Sequence, residues 1–142
     1  MAIEMAPPPK LVLDAGPLIA LFNEKDKAHG ISVQGFRLLQ EAKTRLVIPM
    51  PVLFETYKWL LFRAGAAKAR RALKRMLSVS QIVPINGQDL EAIQTLLVEW
   101  PTWEGTLEDA SVAMIALRMS VSVWTMDYRH LSAFKTVSFW SP

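Results

Sequence analysis

The feature of this sequence that most constrains its fold is a series of short, continuous apolar runs separated by longer segments with helical periodicity. Unbroken runs rich in β-branched residues are typical of strands buried on both faces of a sheet. Parallel strands also need crossovers, which the intervening helical segments supply. The sequence therefore predicts an α/β fold with a parallel sheet, and we expect the last and weakest run at its edge. The runs lie at residues 11–13, 46–48, 82–85, 121–124 and 137–139.

Helices are predicted between these strands, and their ends carry recognisable signals. Pro17 and Pro51 stand where a first helical turn accepts proline. Gly65 separates two helices, and Thr106 precedes Asp109 at the spacing of a capping box. The predicted helices cover residues 17–23, 31–43, 51–63, 66–78, 88–99 and 106–119.

The length of 142 residues suits a single domain. Residues 1–9 end in three prolines and are expected to form a flexible, extended tail outside the fold, which leaves 10–142 as one domain. No apolar run approaches the roughly 20 residues of a membrane span, and the first residues do not resemble a signal peptide. We therefore expect a cytoplasmic protein without a membrane partner.

The composition restricts the metal chemistry that is open to the chain. It has no cysteine and only two histidines, His29 and His130, so disulfides, thiolate sites and histidine-rich zinc sites are not expected. Any metal must be held by oxygen.

The positive charge is concentrated in one part of the chain, since no acidic residue occurs between Glu55 and Asp89. This basic block has two interpretations that the sequence leaves open: a solvated helix face, or a surface that contacts phosphate. Among its cations, Arg63, Arg71 and Arg75 are candidates for phosphate contacts. The block contains Lys58, Arg63, Lys68, Arg70, Arg71, Lys74 and Arg75.

Four carboxylates are the candidate functional residues. Asp14 closes the first predicted strand and Asp127 follows the fourth, and ligands of parallel sheets bind beyond the carboxyl ends of strands. Glu55 and Asp109 lie near the starts of helices that could converge on those strand ends. Alternatives remain for two of them: Asp127 could cap a following helix, and Asp109 could serve only in its capping box. Asp14 is not expected to be a cap, because the cap position before Pro17 is Gly16.

Glu55 lies on a stripe of helical spacing with Val52, Trp59 and Phe62, so its carboxylate is expected to face the interior or a cleft. A glutamate turned outward from a helix that is apolar nearly all round is the alternative. If the four carboxylates met within about 5 Å, each pair would repel by about 3 kcal/mol at an effective dielectric near 20. A hard divalent cation, Mg²⁺ or Mn²⁺, would offset that repulsion and is suited to phosphodiester chemistry through an activated water.

Four short blocks, in this order, resemble the motifs of PIN domains, including the VapC-type toxins of bacterial toxin–antitoxin pairs. Leu11–Leu21 resembles the opening strand and helix of that family, and Pro51–Glu55 its glutamate segment. Leu107–Leu117 is similar to its central aspartate helix, and Val123–Asp127 to its last acidic strand end. The resemblance covers nearly the whole chain, from about Leu11 to Phe139.

The resemblance implies a three-layer α/β/α sandwich with a central parallel sheet and an endoribonuclease site that depends on Mg²⁺ or Mn²⁺. Asp14 and Asp109 would be the principal metal ligands, Glu55 would bind the metal or position the water, and Asp127 would complete the cluster. Thr125 matches a polar position beside the metal, and Ala15 departs from a hydroxyl residue that many relatives carry.

The resemblance also implies partners. RNA would be the substrate, the chain would form a homodimer, and an antitoxin would bind near the active site, with apolar residues of the third predicted helix as interface candidates. These candidates are Phe54, Tyr57, Leu61 and Phe62.

Three other functions compete with the nuclease. A haloacid-dehalogenase-like phosphatase needs a second aspartate where this chain has Gly16, and a receiver domain needs an acidic pair where Asp14 stands alone. The remaining alternative is an RNA-binding or RNA-processing module of the same fold without toxin activity, which would hold RNA through the basic block and not cut it.

Overall fold

The computed structural model describes all 142 residues, and its centre is a six-stranded sheet in which every neighbouring pair of strands is parallel. The strands occur in the spatial order β1-β6-β5-β2-β3-β4. Their bounds are β1 Ala2–Glu4, β2 Lys10–Leu13, β3 Arg45–Pro49, β4 Ser80–Val83, β5 Ser122–Trp124 and β6 Ser138–Trp140. The helices are α1 Ala15–Phe22, α2 His29–Glu41, α3 Met50–Ala64, α4 Ala66–Val79, α5 Gly87–Glu99 and α6 Leu107–Met119.

The helices form two layers around the sheet. The chain steps from β2 to β3 to β4 in one direction and then returns from β4 to β5 past both of them. Because such crossovers are right-handed, α1 to α4 cover one face and α5 and α6 cover the other. The helix contacts agree, since α1 packs against α2 and α3, and α5 packs against α6. The predicted three-layer α/β/α architecture is confirmed.

The core lies on both faces of the central strands. Leu11, Val12 and Leu13 of β2 are completely buried, as are Val47 in β3 and Val123 in β5. A strand covered on both faces has no polar side, which is why these segments appear in the sequence as unbroken apolar runs.

The amino terminus differs from the expectation. Residues 1–9 were expected outside the fold, yet β1 pairs with β6 and aligns Ile3 with Phe139. The edge of the sheet is therefore β1, and β6, which was predicted at the edge, lies one strand inside. All residues of β1 are exposed, so it is held by backbone hydrogen bonds and leaves no apolar pattern to detect.

Most element bounds agree with the predictions to within two residues. The strand predicted at 82–85 runs instead from Ser80 to Val83, because Pro84 has no amide hydrogen to continue the ladder. The helix predicted to start at Pro17 begins at Ala15, which changes the role of Asp14. No helix of the structure has the length and apolar character needed to cross a membrane.

Candidate active site

The four predicted carboxylates come from elements that meet at one edge of the sheet. Asp14 directly follows β2, and the segment that bears Asp127 follows β5, the neighbour of β2. Glu55 lies in α3, which starts at the end of β3 on the other side of β2. Asp109 lies in the first turn of α6, which packs against β2, β3, β5 and α3. The carboxyl ends of three adjacent strands therefore bring these groups into one region.

Asp14 is buried, and both of its carboxylate oxygens accept hydrogen bonds. The backbone N–H of Ala15 donates to Oδ1 at 2.9 Å, and the Thr125 hydroxyl donates to Oδ2 at 2.7 Å. Burial raises the pKa of Asp14, these two hydrogen bonds lower it in part, and repulsion from Asp109 and Asp127 raises it further. The net direction is upward, so burial outweighs the hydrogen bonds.

The expectation that Asp14 is not a helix cap was wrong. Since α1 begins at Ala15, Asp14 itself occupies the cap position. The proline at the third helical position still lies in the first turn, where its missing N–H costs nothing. Capping therefore accounts for one oxygen of Asp14, while the other is bound by Thr125, which follows β5 more than a hundred residues further along the chain.

Glu55 is half-buried and forms no hydrogen bond or salt bridge with another residue. Burial raises its pKa to about 7, with further increases from repulsion by Asp14, Glu108 and Asp109 and a small decrease from Lys58. Glu55 therefore carries a proton for part of the time near neutral pH.

The predicted stripe of α3 is only partly correct. Val52 is completely buried, but Trp59 and Phe62 are 38% and 73% exposed. The buried side of α3 consists of Val52, Leu53, Thr56 and Leu60. Because α3 is apolar on nearly every side, the sequence does not show which apolar side faces the core, and Glu55 lies at the border of the buried side.

Asp109 is held by the predicted capping box. Its backbone N–H donates to the Thr106 hydroxyl at 3.1 Å, and its Oδ2 accepts the N–H of Thr106 at 3.0 Å. This arrangement leaves Oδ1 of Asp109 without a protein donor. Glu108, which the sequence analysis did not single out, is close enough to repel Glu55. The sequence offered one signal for Glu108, the acidic pair that it forms with Asp109 in the first turn of α6.

Asp127 is exposed and is bound by a cation that the sequence analysis did not identify. The Arg129 guanidinium donates from Nε to Oδ1 at 2.9 Å and from Nη2 to Oδ2 at 2.6 Å. These hydrogen bonds, more than any other contact, lower the pKa of Asp127 to about 2. Asp127 does not cap the short 3-10 helix that follows, since that helix begins at Leu131 with His130 in the cap position.

Thr125 connects the two parts of the site. It is buried, donates to Asp14 as described, and accepts the backbone N–H of Asp127 at 3.1 Å. The hydroxyl of Thr125 therefore links Asp14, at the end of β2, to the loop that carries Asp127. The sequence suggested this position only through the family resemblance.

An aromatic cluster, which the sequence analysis missed, joins the loops that precede Asp109 and follow Asp127. The indole Nε1–H of Trp103 donates to the carbonyl of His130 at 3.0 Å, and the ring of Trp103 meets that of Phe134 edge to face at 5.5 Å. Gly105 lies against the same indole, because a Cβ there would come within 2.1 Å of a ring carbon. This cluster fixes the loop of Asp127 relative to the start of α6.

The carboxylates offer the donor type that a hard divalent cation requires, although their side chains do not form a complete coordination site. No group of three or more acidic or histidine side chains in the structure has the geometry of a metal site. Asp14, Glu55 and Asp109 nevertheless supply only oxygen donors, and they repel one another. Oxygen ligands and uncompensated negative charge are what Mg²⁺ and Mn²⁺ require.

Comparison with known proteins identifies the family to which the chain is similar. A family model described as the PIN domain matches residues 11–137 of the chain. No protein with a curated description matches the sequence.

Several solved structures are similar in fold. The VapC20 toxin of Mycobacterium tuberculosis, described as cleaving the sarcin-ricin loop, matches with a TM-score of 0.75 and 21% identity, over 87% of this chain and 95% of that one. VapBC2 from Rickettsia felis, solved with a DNA fragment from its promoter, matches with a TM-score of 0.70 and 14% identity, over 94% and 99%. A toxin–antitoxin complex from Klebsiella pneumoniae matches with a TM-score of 0.63 and 20% identity, over 89% and 94%.

Proposed function

The chain belongs to the PIN domain family, and we propose that it is an endoribonuclease that depends on Mg²⁺ or Mn²⁺ and acts as the toxin of a toxin–antitoxin pair. The observation that carries this proposal is the grouping of carboxylates at the ends of adjacent parallel strands, where burial and then repulsion between them raise the pKa of Asp14 and Glu55. Like charges are brought together at a cost, which a bound cation and a functional role would explain.

We assign the metal ligands by how firmly the protein orients each carboxylate and by whether a cation of the protein already neutralises it. Asp14 and Asp109 are the proposed principal ligands, because hydrogen bonds already fix the orientation of both carboxylates. Glu55 either completes the ligand set or positions the water. Asp127 is the least available of the four, since Arg129 occupies both of its oxygens.

The chemistry that a bound divalent ion supplies at such a site is Lewis-acid activation of water and neutralisation of charge on the phosphodiester. The protein's own residues contribute orientation and proton transfer. Thr125 holds Asp14 in place through a buried hydrogen bond. Glu55, with a pKa of about 7, can accept a proton from the attacking water near neutral pH.

The test is cleavage of single-stranded and structured RNA by the purified chain in Mg²⁺, in Mn²⁺ or in chelator. An Asp14→Asn variant, prepared identically, controls for contaminating nuclease. We expect cleavage that disappears both with chelator and in Asp14→Asn. Cleavage that survives either change would contradict the proposal.

An RNA-binding or RNA-processing module without toxin activity is the second candidate. It is favoured by the basic block, whose cations on α4 have no acidic partner. Retention of RNA by the folded chain without cleavage under any metal condition would support this candidate instead.

We also propose a homodimer and an antitoxin as protein partners, on the basis of the exposed apolar side of α3. Phe54, Leu61 and Phe62 are 66%, 37% and 73% exposed, whereas Tyr57 packs partly against the core. Exposed apolar surface of this kind is typical of a protein interface. The VapBC structures with a similar fold are toxin–antitoxin assemblies. Sedimentation of the purified chain would measure the dimer directly.

A further inference from the structure

A concave, positively charged surface lies between α4, the end of α1 and the start of α2. It encloses about 640 Å³ and is lined mainly by Phe22, His29, Lys68, Arg71 and Arg75. We call this surface the basic cleft. None of its residues belongs to the group of carboxylates described above.

The periodicity of α4 directs three of its cations to the basic cleft. The buried side of the helix is formed by Ala69, Ala72 and Met76. Lys68, Arg71 and Arg75 each precede one of these buried residues in the sequence, so they form a stripe beside the buried side.

The remaining two cations of α4, Arg70 and Lys74, are exposed and do not line the basic cleft. The α4 cations of the basic block therefore divide into two groups, one that lines the basic cleft and one that does not, which the sequence alone did not distinguish.

The cations of the basic cleft are not neutralised by the protein. The structure contains two salt bridges, Arg118 with Asp89 and Arg129 with Asp127, and neither involves α4. Glu24 is the one acidic residue that lines the basic cleft. Cations gathered in a concavity focus positive potential and attract a polyanion.

The position of the basic cleft relative to the carboxylates follows from α1. This helix begins beside Asp14 and ends at Phe22, and eight residues of helix extend about 12 Å. The basic cleft is thus at the far end of a helix whose near end carries the first carboxylate. A ligand that reaches both must be an extended polyanion, not a single small anion.

We propose that the basic cleft binds the phosphate backbone of the RNA substrate at nucleotides away from the bond that is cut. The identity of the ligand as RNA rests on the proposed function, whereas the location of the site rests on the three unpaired cations and the concavity. Lys68, Arg71 and Arg75 contact phosphates and carry no base specificity.

The experiment measures binding of a short, fluorescently labelled single-stranded RNA of mixed sequence as a function of salt. An Asp14→Asn background in chelator prevents cleavage, so the result does not depend on whether the chain is a nuclease. Each phosphate contact to single-stranded RNA contributes about 0.7 to the slope of log K against log salt. Replacing Arg71→Gln together with Arg75→Gln should reduce the magnitude of the slope by about 1.4.

The matched control is Arg70→Gln together with Lys74→Gln, which removes the same charge from the same helix outside the basic cleft. We expect it to retain the slope of the Asp14→Asn background. A second pair, Arg71→Lys with Arg75→Lys, keeps the charge and should also retain the slope. Circular dichroism would show that all variants are folded.

An equal reduction in the cleft and control pairs would overturn the proposal, because only net charge would then matter. An unchanged slope in the cleft pair would overturn it as well. If the cleft pair instead lost binding of polyglutamate while its RNA slope stayed the same, the basic cleft would be a site for an acidic protein. None of these outcomes changes the result of the cleavage test, so the two proposals fail separately.

Discussion

Glu55 and Asp127 are carboxylates of the same candidate site, yet their surroundings shift their pKa values in opposite directions. The pKa of Glu55 rises to about 7 because the side chain is half-buried among other acids and lacks a hydrogen bond. The pKa of Asp127 falls to about 2 because the Arg129 guanidinium donates hydrogen bonds to its carboxylate, and burial opposes this only weakly at an exposed position. The difference shows that the negative charge of the site is compensated on one side only.

A neighbouring residue neutralises Asp127, whereas the other three carboxylates have no salt bridge. Arg129 is two residues from Asp127, so the chain brings its own counter-charge. Asp14, Glu55 and Asp109 come from distant parts of the chain, and none of them forms a salt bridge with a cation of the protein. A ligand with positive charge would therefore act mainly on these three.

The largest effect on stability is predicted for the loss of the Thr125 hydroxyl, which connects Asp14 to the loop of Asp127. Thr125→Val keeps the shape of the side chain but removes a buried donor to Asp14 and the acceptor for the N–H of Asp127. We expect unfolding in urea to show a loss of about 2 kcal/mol, since Asp14 loses a buried hydrogen bond and the N–H of Asp127 loses a partly buried one. The pKa of Asp14 should also rise further, because the Thr125 hydrogen bond lowers it.

Thr125→Ser is the control for this change, as it retains the hydroxyl and loses only a methyl group. It should recover most of the lost stability. If Thr125→Val were as stable as the parent, the hydroxyl would not connect the two sides as we describe.

A smaller effect is predicted for Glu55→Gln, which removes the uncompensated charge. The folded protein binds a proton at Glu55 more tightly than the unfolded chain does, because the pKa is raised from 4.5 to about 7. Stability is therefore lost as pH rises through this window. Glutamine stays neutral, so the variant should gain about 1 kcal/mol over the parent between about pH 5 and pH 8, less than the full shift implies because Glu55 is partly solvated.

Urea unfolding in chelator at both pH values would measure this gain. The control is Glu91→Gln, since Glu91 is an exposed glutamate on α5 away from the other carboxylates. If the free energy of unfolding depended on pH equally in the two variants, burial and the neighbouring acids would not raise the pKa of Glu55.

The smallest effect on stability is predicted for Arg129→Gln, which would make Asp127 resemble an ordinary aspartate. We expect the pKa of Asp127 to rise from about 2 towards the unperturbed value near 4, as measured by NMR titration of the carboxyl carbon. The lowered pKa stabilises the fold above pH 3.8, and that contribution is lost as pH falls through about 2. Arg129→Gln should therefore lower stability at neutral pH, but only slightly, because the Arg129–Asp127 pair is exposed and screened by solvent.

Arg129→Lys keeps the charge but loses the bidentate hydrogen bond, so the pKa of Asp127 should be intermediate. A value that remained near 2 in Arg129→Gln would mean that the backbone or another cation, and not the guanidinium, holds Asp127 in its charged form.

Much of the fold was predictable because its signals are local. Buried parallel strands leave unbroken apolar runs, and helix starts leave prolines and capping residues such as Thr106, so the central strands and all six α-helices were found. Strand β1 left no such signal, because it is exposed and held through its backbone. The sequence also predicts the start of α1 two residues too late, at Pro17, because proline is as well accepted at the third helical position, where it stands, as at the first.

The positions of the candidate carboxylates at strand ends and helix starts were predictable from the sequence. Their burial, contacts and pKa shifts were not. The sequence by itself determined which carboxylates follow strands and which start helices, because strand ends and helix caps are short-range features. Only the tertiary structure decided that Thr125 reaches Asp14, that Glu55 shares its surroundings with other acids, and that the cations of α4 divide between the basic cleft and solvent. Burial and repulsion depend on the distances between segments that are far apart in the chain, and the packing of the helices on the sheet sets those distances.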